Sequence, residues 1–76
     1  MREYNGHRSH SAWNQSLWLG NDEGLYKWAI DTLRGCGNNP ARAARRMMQD
    51  LAGQRTPDGV AWNQLGVKLA LEGFIE

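Results

Sequence analysis

Ala12-Trp13-Asn14-Gln15-Ser16-Leu17-Trp18-Leu19-Gly20-Asn21-Asp22-Glu23-Gly24-Leu25-Tyr26-Lys27-Trp28-Ala29-Ile30-Asp31-Thr32-Leu33 holds three of the four tryptophans of the chain and one of its two tyrosines. A helix-start signal lies in its middle. Asn21 can accept a hydrogen bond from a backbone N–H left free at a helix N-terminus, while Asp22 and Glu23 place negative charge at the positive end of the helix dipole. From Leu25 onward Leu25, Ala29 and Leu33 recur at four-residue spacing, flanked by Tyr26, Trp28 and Ile30, with Lys27, Asp31 and Arg34 on the opposite side. Gly35 and Gly37 end the pattern, because glycine tolerates the left-handed backbone used at helix C-termini. The spacing predicts a helix over about 22–34.

Upstream, Trp13 and Leu17 share a helical face, but Trp18 and Leu19 point elsewhere. A short helix over about 11–20, buried on more than one side, fits this pattern, and a strand remains open because short apolar runs carry no decisive periodicity. Each indole can bury roughly 150–250 Å². Three of them therefore read first as core. The functional alternative is an exposed aromatic anchor on a binding surface, for which Trp18 is the candidate.

Downstream, Gly35-Cys36-Gly37-Asn38-Asn39 reads as a loop with an exposed cysteine between two glycines. Asn39-Pro40 then opens a helix over about 40–52: asparagine caps, and proline at the first helical position loses no needed hydrogen bond. Ala44, Met47, Met48 and Leu51 line one face of it, whereas Arg42, Arg45, Arg46 and Gln49 line the other at i, i+3, i+4 and i+7. Thr56-Pro57-Asp58-Gly59 is a turn in which proline fixes one dihedral and glycine permits a positive one. Ala61-Trp62-Asn63-Gln64 repeats Ala12-Trp13-Asn14-Gln15, with Asn63 placed to cap a last helix over about 64–73 and Trp62 placed to pack on Val67. Gly66, Ala70 and Gly73 give that helix a smooth side for a neighbouring helix or, less simply, a second copy of the chain. The expected fold is all-α: a compact bundle of three to four short helices in a single domain over 1–76, with 1–10 as an N-terminal arm.

Composition narrows the function classes. Seventy-six residues, 41% of them hydrophobic, make one small core. A single cysteine allows no internal disulfide and suits a reducing compartment. No apolar run approaches the roughly 20 residues of a membrane span, and Met1-Arg2-Glu3-Tyr4 lacks the apolar stretch of a signal peptide, so a soluble cytoplasmic protein is expected. His7, His10 and the distant Cys36 fall short of the four ligands of a zinc site. No nucleophile–base arrangement, phosphate-cradling loop or paired catalytic carboxylate stands out, so neither an enzyme nor a cofactor is expected.

Net charge is +1, but unevenly placed. Residues 34–55 carry five arginines against Asp50, while the flanking segments are slightly acidic. That asymmetry marks Arg34, Arg42, Arg45, Arg46 and Arg55, with Trp18, as candidate partner-binding residues. A merely solvated face is the plain alternative.

Tyr4-Asn5-Gly6, Trp13-Asn14, Leu17-Trp18-Leu19 and Asn21-Asp22-Glu23-Gly24-Leu25-Tyr26 together resemble a family of very small proteins carried by bacteriophages, prophages and plasmids. Thr56-Pro57-Asp58-Gly59, Trp62 and Leu69-Ala70-Leu71-Glu72-Gly73-Phe74 resemble its C-terminal part, while 35–39 fits least well. The resemblance implies a mobile-element protein of a bacterial cytoplasm and brings no catalytic residues with it. The function expected is a non-catalytic module that binds and modulates a host bacterial protein or nucleoprotein complex, such as a CRISPR-type defence complex. The alternative is weak nucleic-acid binding through the arginine face. Monomer and homodimer both remain open.

Overall fold

The computed structural model describes residues 10–75; positions 1–9 of the expected N-terminal arm, with His7, lie outside them, and His10, its expected last residue, instead opens the first helix. Four helices follow one another: α1 (His10–Asn21), α2 (Glu23–Gly35), α3 (Pro40–Leu51) and α4 (Gln64–Phe74). The fold is the all-α bundle that the spacing predicts, and the open choice for 12–20 resolves to helix. Neighbours in sequence are neighbours in space: α1 packs on α2, α2 on α3, α3 on α4, and α4 returns to α1, while α2 and α4 touch only lightly across the diagonal.

Local chemistry sets the boundaries. Asp22, rather than Asn21, caps α2: its backbone is extended (φ −85°, ψ 118°) and its Oδ1 accepts from the Leu25 N–H at 2.9 Å. Asn21 is retained by the last turn of α1, and the Asp22 N–H still donates to the Trp18 carbonyl at 3.0 Å. One residue therefore closes α1 and starts α2, and the chain turns a corner there. Asn39 caps α3 and Asn63 caps α4, accepting from the N–H groups of Arg42 (3.1 Å) and Gly66 (2.7 Å). Between α3 and α4 the chain forms a small closed loop. The Gly59 N–H donates to the Thr56 carbonyl, the Thr56 N–H donates to the Val60 carbonyl (both 2.8 Å), and Arg55 bridges antiparallel to Ala61. Gly59 takes the positive φ, +89°, that the turn requires.

The core is aliphatic at its centre and aromatic at its edge. Leu19, Leu33, Met47, Val67 and Leu71 are enclosed almost completely, with Ala29, Ala43, Ala44 and Ala70 letting the helices approach. Of the tryptophans only Trp62 is buried, whereas Trp18 and Trp28 pack half-exposed against the outside of the core, and the Trp13 ring lies 5.6 Å from that of His10. An indole-centred core is thus corrected to an indole rind. Four short helices enclose a narrow interior, which Leu, Val, Met and Ala fill, leaving the larger rings to its edge. Phe74, the last residue of α4, meets Tyr26 edge-on, with ring centroids 5.3 Å apart.

Candidate functional site

Three polar residues that a sequence reader would place outside are buried: Asn14, Gln15 and Thr56 are 1%, 0% and 4% exposed. They form a seam joining α1 to the 54–63 loop. The Thr56 hydroxyl donates to Asn14 Oδ1 at 2.7 Å, and Asn14 Nδ2 donates to Asp58 Oδ2 at 2.8 Å. The Trp18 indole N–H donates to the same Asp58 oxygen at 2.9 Å. These donations from Asn14, then Trp18, hold the Asp58 carboxyl below the ordinary carboxylate range, outweighing an opposing desolvation cost. Gln15 donates to the Ser11 hydroxyl (2.9 Å) and accepts from the Asn63 N–H (3.0 Å). The two Ala-Trp-Asn-Gln copies therefore meet, the glutamine of the first holding the asparagine of the second.

This geometry divides the six candidate binding residues. Trp18 is half-buried with its polar edge committed to Asp58, and Arg55 donates from Nη1 to the Gly59 carbonyl at 2.9 Å, bracing the turn. Arg34 is exposed at the end of α2, beside a separate depression lined by Ile30, Leu33, Asn38, Phe74 and Ile75. Arg42, Arg45 and Arg46 do come together, exposed along one face of α3 and opposite the buried Ala43, Ala44, Met47 and Leu51. Among the described residues no guanidinium group lies within ion-pair distance of a carboxylate, and the ion pair present is Lys68–Glu72 at 3.5 Å on α4. The ridge is therefore a positive surface with no ion-paired carboxylate among the described residues.

Beside the ridge runs a groove of about 520 Å³ between α2 and α3, lined among others by Trp28, Asp31, Cys36, Arg46 and Asp50. The sequence reading passed over it. Its one local signal is that Trp28, Asp31, Thr32 and Gly35 fall on a common side of α2, which marks a face but not what the face borders. Cys36, expected to be exposed, is 8% exposed, because its N–H donates to the Thr32 and Leu33 carbonyls and folds the residue in under the end of α2.

The model of a family of unknown function, DUF7249, matches residues 1–75. The chain belongs to that family. No curated protein and no solved structure matches it. Family membership thus covers nearly the whole chain and assigns no chemistry to the ridge, the groove or the seam. Among the described residues no helix is long and apolar enough to cross a membrane.

Proposed function

We propose that this protein is a non-catalytic binding module of phage or mobile-element origin that modulates a host bacterial protein in the cytoplasm, a CRISPR-type defence complex being the class in view. The observation that carries the reading is the ridge of Arg42, Arg45 and Arg46, exposed on one rigid helix with no internal carboxylate partner among the described residues. Planar guanidinium groups at helical spacing match carboxylates two at a time, and such pairs gain strength when an interface removes their water. The rest of the fold supports this use. A loop stapled to α1 and capped helix ends keep the ridge from rearranging on contact, which lowers the entropic cost of binding.

Pull-down from bacterial host lysate, treated with nuclease, tests the reading. A defined protein complex should be captured, survive nuclease, and be lost when Arg42, Arg45 and Arg46 are all changed to Glu. Capture that disappears with nuclease would turn the assignment to nucleic-acid backbone. Capture that is unchanged in the triple variant would remove the ridge from the site.

A further inference from the structure

The groove beside the ridge has a chemistry that the ridge does not. Asp31 stands on its α2 wall and Asp50 on its α3 wall, both exposed. Among the described residues neither carboxylate enters an ion pair or accepts a hydrogen bond through its side chain. Trp28, one turn before Asp31 on α2, lines the same space half-exposed. Cys36, 8% exposed as a residue, also lines the groove. Arg46 contributes the single positive group, so the lining carries two negative charges to one positive. Two carboxylates and an indole in a concave space are the elements that bind an alkyl guanidinium or ammonium, by charge and by the negative face of the aromatic ring. A volume of about 520 Å³ admits such a side chain with its stem.

We propose that this groove receives a basic side chain, arginine or lysine, from the same partner protein whose carboxylates meet the ridge. The proposal rests on the reading of the ridge as a protein-binding face and sharpens it. The partner segment carries a cation set beside acidic residues, at a spacing fixed by the step from Arg42 and Arg45 across Arg46 into the groove. A phosphate backbone offers no cation for that position and brings negative charge towards Asp31 and Asp50, so the same feature discriminates against nucleic acid.

N-acetyl-arginine amide is the probe, titrated into the intact isotopically labelled protein while the Trp28 indole N–H signal, assigned with Trp28→Phe, is followed by NMR. A saturable shift of that signal is expected, with affinity at least about tenfold weaker in Asp31→Asn/Asp50→Asn and weakened further by added salt. N-acetyl-glutamate amide at equal ionic strength should move the Arg42 and Arg45 side-chain signals and leave Trp28 in place. The single variants Asp31→Asn and Asp50→Asn, each expected to lose part of the affinity, supply the same comparison should the double variant fold poorly. Absence of a saturable Trp28 shift, or undiminished affinity when the carboxylates are neutralised, overturns the proposal. Because the probe needs no natural partner, this result is independent of the lysate experiment. A silent groove with an intact ridge, and an active groove with an irrelevant ridge, are separate outcomes.

Discussion

The seam between α1 and the 54–63 loop and the ridge on α3 are both built from polar side chains on short helices, yet the molecule treats them oppositely. In the seam each buried side-chain nitrogen and oxygen of the described residues has a partner. On the ridge no guanidinium group has a carboxylate partner among the described residues. Buried polar groups left unpaired cost roughly 1–3 kcal/mol each, so a seam survives only when complete. Exposed guanidinium groups carry no such penalty, because water serves them until something else does. The first region spends its hydrogen-bonding capacity on the fold, and the second leaves it available. Stability should therefore follow the seam and binding should follow the ridge.

The sharpest attempt to break that division is at Gly66. A Cβ built there would overlap the Gln15 carboxamide, which lies directly on the α4 backbone. Gly66→Ala should destabilise the fold by about 3 kcal/mol, combining overpacking with loss of the Gln15–Asn63 contact, against a gain of roughly 1 kcal/mol in helix propensity. Denaturant titration of Gly66→Ala, Gln15→Ala and the double variant gives the coupling. The double variant should be more stable than the sum of the two losses implies, by at least about 1 kcal/mol. Simple additivity would mean that the close approach is not real. Next in size, Asn14→Ala deletes the hinge of the network, stranding the Thr56 hydroxyl and removing one of the two side-chain donors to Asp58. A loss of about 2 kcal/mol is expected in the same titration. A change below about 0.5 kcal/mol would show that water replaces the seam without cost.

These two sites also show what could be read without coordinates. The caps at Asn39 and Asn63, the turn at Thr56–Gly59 and the two-sided α3 were legible because each rests on a few adjacent residues with a fixed geometric demand. The seam was not. Asn14 and Gln15 have the composition of a solvent-facing turn of helix, and only partners 42 to 48 residues away make burying them worthwhile. Gly66 was legible in kind, as one of several small residues permitting close approach. The structure assigns that role to Gly66 and leaves Gly73 facing open space. The ridge was legible as a stripe, but periodicity cannot see that Arg55 braces a turn or that Arg34 sits by another depression. The groove needed two helices to be placed before it existed at all.

Acid offers a gentler probe of the seam. Asp58 accepts from Asn14 and Trp18 as a carboxylate, and its folded-state pKa is depressed. Such a group contributes stability that is fully present above the unfolded-state value of about 3.9 and is lost as pH falls through it towards the folded value. Thermal unfolding of the native protein should therefore fall off below about pH 4, and Asp58→Asn should flatten that limb while lowering stability slightly at neutral pH. An acid limb of equal steepness in the variant would assign the acid sensitivity to other carboxylates.

The smallest effect is expected where the charge change is greatest. Changing Arg42, Arg45 and Arg46 to Glu reverses three charges, yet the individual contributions oppose one another. Arg42 stands in the first turn of α3, where a cation opposes the helix dipole, so a carboxylate there should gain roughly 0.3–1 kcal/mol. Arg46 stands one turn before Asp50, so a carboxylate there creates a like-charge pair costing about 0.2–0.5 kcal/mol. Arg45 has Gln49 one turn on and Ala41 one turn back, and its reversal should be nearly neutral. The sum lies within about 0.5 kcal/mol of zero, which for a domain of this size is a melting-temperature change of roughly 4 °C or less. A substantially larger drop would show that the arginines stabilise the fold, and the contrast between a seam used for folding and a ridge held in reserve would fail. A small change accompanied by loss of the captured partner would place folding and binding on separate sets of side chains.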